Sequence, residues 1–82
     1  MQHLATPHNL EDRAQRIGLS MFRVCARADV NHSTWIRWKN GTAKPRKSTV
    51  EALAAVVTGA EIQMLLYLQE IYPGKAALKV AA

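Results

Sequence analysis

Val30-Asn31-His32-Ser33-Thr34-Trp35-Ile36-Arg37-Trp38-Lys39-Asn40-Gly41 is the stretch from which the rest of the chain is read. Asn31 is a helix-capping residue type, and Asn40-Gly41 is a stop signal, so a short helix lies between them. Trp35 and Trp38 stand three residues apart on that helix and share one side, where they are expected to join Val30 in a core. His32, Ser33, Ile36, Arg37 and Asn40 fall on the opposite side, with Asn31 at its edge. A helix of this kind buries two large rings and exposes hydrogen-bonding groups, one cation and one aliphatic chain. Those chemical types read base edges in a major groove: arginine forks onto guanine, and an aliphatic group meets the thymine methyl.

The segments on either side continue the helical reading. Residues 1–5 carry little pattern and read as an arm. Thr6-Pro7 is a helix start, with proline in the first turn where its missing N–H costs nothing. Leu10, Ala14 and Ile17 then form one apolar stripe, and Gly18 follows as a stop. Ser20 caps a second helix to Ala28, with Val24, Cys25 and Ala28 inward and a tight turn at Asp29-Val30. Thr42 to Lys47 contains Pro45 and three cations and reads as an exposed basic loop. Ser48 and Glu51 have capping-box spacing for a fourth helix, with Leu53, Ala54 and Val57 inward and an end at Gly59. A fifth helix is expected from Ala60 to Tyr72, then Pro73-Gly74 and a tail over 74–82. No stretch alternates with period two. The expectation is all-α, five helices, in one domain over residues 6–73.

Composition and charge narrow the function. A chain of 82 residues, 49% hydrophobic and 21% charged, is globular and has room for one small core. No apolar run reads as long enough to span a bilayer, and no signal-peptide core is visible. The one cysteine, Cys25, excludes an internal disulfide and a multi-cysteine zinc site, and His3, His8 and His32 have no metal-ligand spacing. Neither a metal nor a cofactor is expected. The formal charge is +5. Nine cations lie between Arg13 and Lys47 with a single acid, Asp29, whereas Ser48 to Tyr72 contains three acids and no cation. That division predicts one basic face for a polyanion and a neutral-to-acidic face for something else.

The fifth predicted helix is apolar around more than one stripe. Part of it is expected to pack on helices one and four. The rest, with Ile62, Leu65, Leu66, Gln69 and Tyr72, reads as a dimer surface, because exposed apolar patches mark interfaces. The bland alternative is a larger single-chain core.

From Leu10 to Tyr72 the chain resembles phage repressor/Cro-type (lambda repressor-like) helix-turn-helix domains. The likeness is carried by Val30 to Gly41 with its Ser33-Thr34…Arg37-Trp38…Gly41 spacing, by Pro45, by Leu19-Ser20 opening helix two, and by the capped helix after the basic loop. It implies a compact five-helix DNA-binding domain with its helix-turn-helix at about 20–40. Base contacts would come from Asn31, His32, Ser33, Ile36, Arg37 and Asn40. Phosphate contacts would come from Ser20, Arg23, Lys39, Thr42, Lys44, Arg46 and Lys47, aided by the N-terminal dipole of helix two. Three positions depart from the family pattern. Met21 stands where a phosphate-binding glutamine is usual, Asp29 where the turn usually has glycine, and Cys25 where helix two usually packs an alanine.

The resulting expectation is a cytoplasmic, dimeric repressor that reads an inverted-repeat operator in double-stranded DNA. It would take no small-molecule ligand and have no membrane association. Two alternatives use the same fold. An activator would touch RNA polymerase through Glu51 or Glu61, and an antitoxin would hold a toxin through helix five. An enzyme is not expected, since no paired carboxylates, nucleophile–base set or phosphate-cradling glycine loop is visible.

Overall fold

A computed structural model describes residues 6–71, and these form four α-helices with no strand among them. They are α1 (Pro7–Arg16), α2 (Met21–Ala28), α3 (His32–Lys39) and α4 (Lys47–Ile71). The predicted arm at 1–5, Tyr72 and the predicted tail at 74–82 lie outside the described residues.

The first three helices start and stop where their side chains require. The Thr6 hydroxyl accepts the Asn9 N–H at 3.1 Å, and Pro7 occupies the first turn. Gly18, at φ +72°, turns the chain out of α1, and the Leu19 N–H returns to the Ala14 carbonyl at 2.9 Å. The Ser20 hydroxyl accepts the Arg23 N–H at 3.3 Å and opens α2. Asp29 then takes the left-handed conformation at φ 58°, which aspartate adopts more readily than most residues. The Val30 N–H closes that turn on the Cys25 carbonyl at 2.9 Å. Asn31 caps α3 by accepting the Ser33 N–H at 3.0 Å, and Gly41, at φ +80°, ends it.

The fourth and fifth predicted helices are one. α4 runs 25 residues, about 37 Å at 1.5 Å per residue, straight through Gly59. A glycine stops a helix by taking a left-handed conformation, and Gly59 has no positive φ. It stays helical between Thr58 and Ala60 at a cost of about 1 kcal/mol relative to alanine. The capping box is corrected as well. Lys47 already opens the helix, the Val50 N–H bonds the Arg46 carbonyl at 3.1 Å, and Ser48 lies within the first turn instead of capping it.

The core is formed by Leu10 and Ala14 of α1, Leu19, Met21, Val24 and Cys25 around α2, Trp35 of α3, and Leu53 and Val57 of α4. Burial pushes the Cys25 thiol pKa up, which keeps it protonated and inert. Trp35 is 3% exposed, and its indole N–H has no acceptor among the described residues. Trp38, expected beside it, is only partly buried and lies at the edge of the cluster.

By length and composition alone α4 is able to cross a membrane, which revises the expectation that no stretch reaches that size. Its first half, however, is committed to the protein core through the fully buried Leu53 and Val57. The ten residues from Ile62 to Ile71 rise about 15 Å, half of a roughly 30 Å hydrocarbon layer. Part of this stretch is expected against the helices before it, and within it only Met64 is partly buried. Ile62, Leu65, Leu66, Tyr67, Leu68 and Ile71 are each between 39% and 57% exposed.

Candidate nucleic-acid interface

The outer side of α3 is built from the inside outward. Trp35 anchors the helix, so the residues on its far side face solvent: Ser33, Ile36, Arg37 and Asn40 are all exposed. Isoleucine gains nothing from water, yet Ile36 is 37% exposed beside Arg37. His32 is more enclosed than a solvent-facing residue. Its ring stacks on Trp35 at 5.7 Å and meets the edge of Phe22 at 5.4 Å. Phe22 is itself 65% exposed on α2, an aromatic at the margin of this face that the sequence reading missed. Its position after the Ser20 cap was the available signal.

Four of the polar candidates are partly occupied. The Ser33 hydroxyl donates to the Asn31 side-chain oxygen at 2.8 Å, which fixes both residues at the start of α3. The Asn31 amide N–H groups and the serine oxygen lone pairs are left for a ligand. The Thr42 hydroxyl donates to the Arg37 carbonyl at 3.1 Å, tying the basic loop to the end of α3. Ser20 already spends its oxygen on the α2 cap.

The nine cations between Arg13 and Lys47 divide by what they touch. Arg13 is bound to Glu61 through two hydrogen bonds, at 2.9 and 2.6 Å, and reaches the Thr58 hydroxyl at 3.1 Å. The bond from Arg13 holds the Glu61 carboxyl below its ordinary pKa, and Arg13 is raised in turn. Arg16 pairs with Asp12 at 2.9 Å on the surface of α1. Lys39, expected at phosphate, bonds Glu11 at 2.9 Å with its ammonium 5.1 Å from the centre of the Trp35 ring. Offering it to a polyanion means breaking that pair. Lys47 lies 4.0 Å from Glu51 in an exposed pair that contributes little.

Arg23, Arg27, Arg37, Lys44 and Arg46 are exposed and have no ion-pair partner among the described residues. Arg37 lies on α3, Lys44 and Arg46 on the loop that follows it, and Arg23 and Arg27 on α2. Two sides of a ligand lying against α3 therefore meet uncompensated positive charge. The predicted dimer residues Ile62, Leu65, Leu66 and Gln69 fall on one exposed side of the distal half of α4. Glu61, considered above as an activating contact, is bound to Arg13 and not presented freely.

Taken together these features define a small all-helical domain with a basic side centred on α3 and a projecting helix end rich in exposed apolar residues. Comparison with known family models, with curated proteins and with solved structures finds no match.

Proposed function

We propose that this protein is a sequence-specific double-stranded DNA-binding regulator in which α2, the Asp29 turn and α3 act as a helix-turn-helix. In this reading α3 lies in the major groove. Arg37, Ile36 and Asn40 meet base edges, with Ser33, His32 and Asn31 at the near margin, while Arg23, Lys44 and Arg46 bind phosphates on either side. The observation that carries the reading is α3 itself. One helix anchors an indole in the core and turns an exposed isoleucine and an unpaired arginine outward, next to a loop with two further unpaired cations.

The protein acts as a binding module and not as an enzyme. Two copies joined through the distal half of α4 present two recognition helices about 34 Å apart, one turn of DNA, to an inverted repeat. Occupying a promoter in that way represses it. Genomic fragments retained by the purified protein at about 150 mM salt test the reading, because nonspecific phosphate binding weakens steeply at that ionic strength. Recovery of one short inverted repeat is expected. Uniform recovery of all fragments would refute sequence reading by α3.

A further inference from the structure

Beside the basic face a groove of about 680 Å³ runs between α2 and the distal half of α4. Ile17, Leu19, Met64 and Tyr67 line it, together with Arg23 and Arg27. Both arginines are without an ion-pair partner among the described residues, and no carboxylate lines the groove. A groove whose lining is mixed, apolar side chains beside two arginines and Gln63, fits a helix that presents apolar side chains together with a negative charge.

The chain contains such a helix. Beyond Glu61, α4 has one charged residue, Glu70, and it lies two turns from Gln63 on the same flank, the flank that faces the groove. Ile71, one turn beyond Tyr67 on the same side of the helix, is 44% exposed. We propose that the groove seats the end of α4 from a second copy, with Ile71 of the incoming helix against its apolar residues and its Glu70 against Arg27.

An antiparallel two-fold arrangement makes this seat reciprocal. It sets Ile71 of one copy beside Ala60 of the other and Met64 beside Tyr67, an overlap of about 16 Å along the helices. An overlap this short belongs to the small end of protein interfaces, which fits a dimer that forms with concentration. A phosphate backbone laid over the groove would satisfy the arginines and leave Met64 and Tyr67 uncovered. The seat differs from the opposite side of α4, with Ile62, Leu65 and Leu66, which carries no charge to set a register. The inference rests on the dimer proposed above and specifies how it forms.

Sedimentation of the full chain without DNA tests it, so that a failure of DNA reading and a failure of the seat are separable. The wild type is expected to pass from monomer to dimer with concentration. Glu70→Arg and Arg27→Glu are each expected to weaken the dimer about tenfold by placing like charges together. The two changes combined should restore most of it. Both sites are exposed, and circular dichroism verifies that the variants remain helical. A wild type that stays monomeric, or a dimer indifferent to Glu70 and Arg27 and lost in Leu66→Arg, would overturn the seat. So would an Arg27→Glu variant that loses DNA affinity with its dimer constant unchanged, since the groove would then be a phosphate surface.

Discussion

Arg13 and Glu61, 48 positions apart, are joined by two hydrogen bonds of 2.9 and 2.6 Å that tie α1 to the middle of α4. The pair lies just beyond the last fully buried residue of α4, Val57, where the helix leaves the protein body. It therefore marks the boundary between the half of α4 that builds the core and the half that projects.

Because Arg13 lowers the Glu61 pKa, the pair stabilises the folded state when the carboxyl is ionised. That contribution is present above the ordinary carboxyl value of about 4.5 and is lost as the pH falls through the lower folded value. Both side chains are about a third exposed, so Glu61→Gln should cost only about 0.5–1 kcal/mol at neutral pH. Urea unfolding at pH 7 and pH 3 measures this. The difference between wild type and variant should shrink at the lower pH, and an equal difference at both would detach the pair from stability.

Arg37→Ala should reduce affinity for the cognate site by about 1–3 kcal/mol and relax the preference at one base pair. Titration against the site and against a scrambled duplex checks it. Equal losses on both duplexes would remove Arg37 from base reading.

Lys44→Ala and Arg46→Ala should each weaken all duplexes alike and lower the slope of log affinity against log salt by about one. Lys39→Ala is expected to behave differently. Its ammonium is held by Glu11, so the loss should appear mainly in stability, with the salt slope nearly unchanged. If Lys39→Ala flattens the slope as much as Lys44→Ala, the lysine leaves Glu11 for phosphate when DNA binds.

Two glycines should respond in opposite directions. Gly59 is helical, with no atom within 4 Å of an added Cβ, so Gly59→Ala should stabilise the protein by about 0.5–1 kcal/mol. Gly18 has equal space but sits at φ +72°, so Gly18→Ala should destabilise by about 1 kcal/mol. Thermal melts report the sign of each change directly.

The contrast explains what was readable locally. Thr6, Ser20 and Asn31 cap their helices as their side chains suggest, and Asp29 and Gly18 turn the chain where a left-handed residue was anticipated. Each of these depends on groups a few residues apart. The helix continues through Gly59 because a glycine is compatible both with a stop and with continuation, and tertiary contacts on either side of it, buried Val57 and Glu61 bound to Arg13, hold α4 helical there. Ser48 does not cap because the helix has already begun at Lys47, with the Arg46 carbonyl accepting the Val50 N–H.

Local sequence thus determined an all-helical chain, the ends of its first three helices, the inward placement of Trp35 and the outward placement of Arg37, because hydrogen-bond caps and helical periodicity act over one or two turns. Tertiary structure decided which cations are neutralised. Arg13 and Lys39 meet Glu61 and Glu11 only because α1 packs against α4 and α3, and Arg23 and Arg27 border a groove only because α4 extends past α2. Charge pairing across 28 or 48 residues follows from how the helices are stacked, which no local pattern encodes.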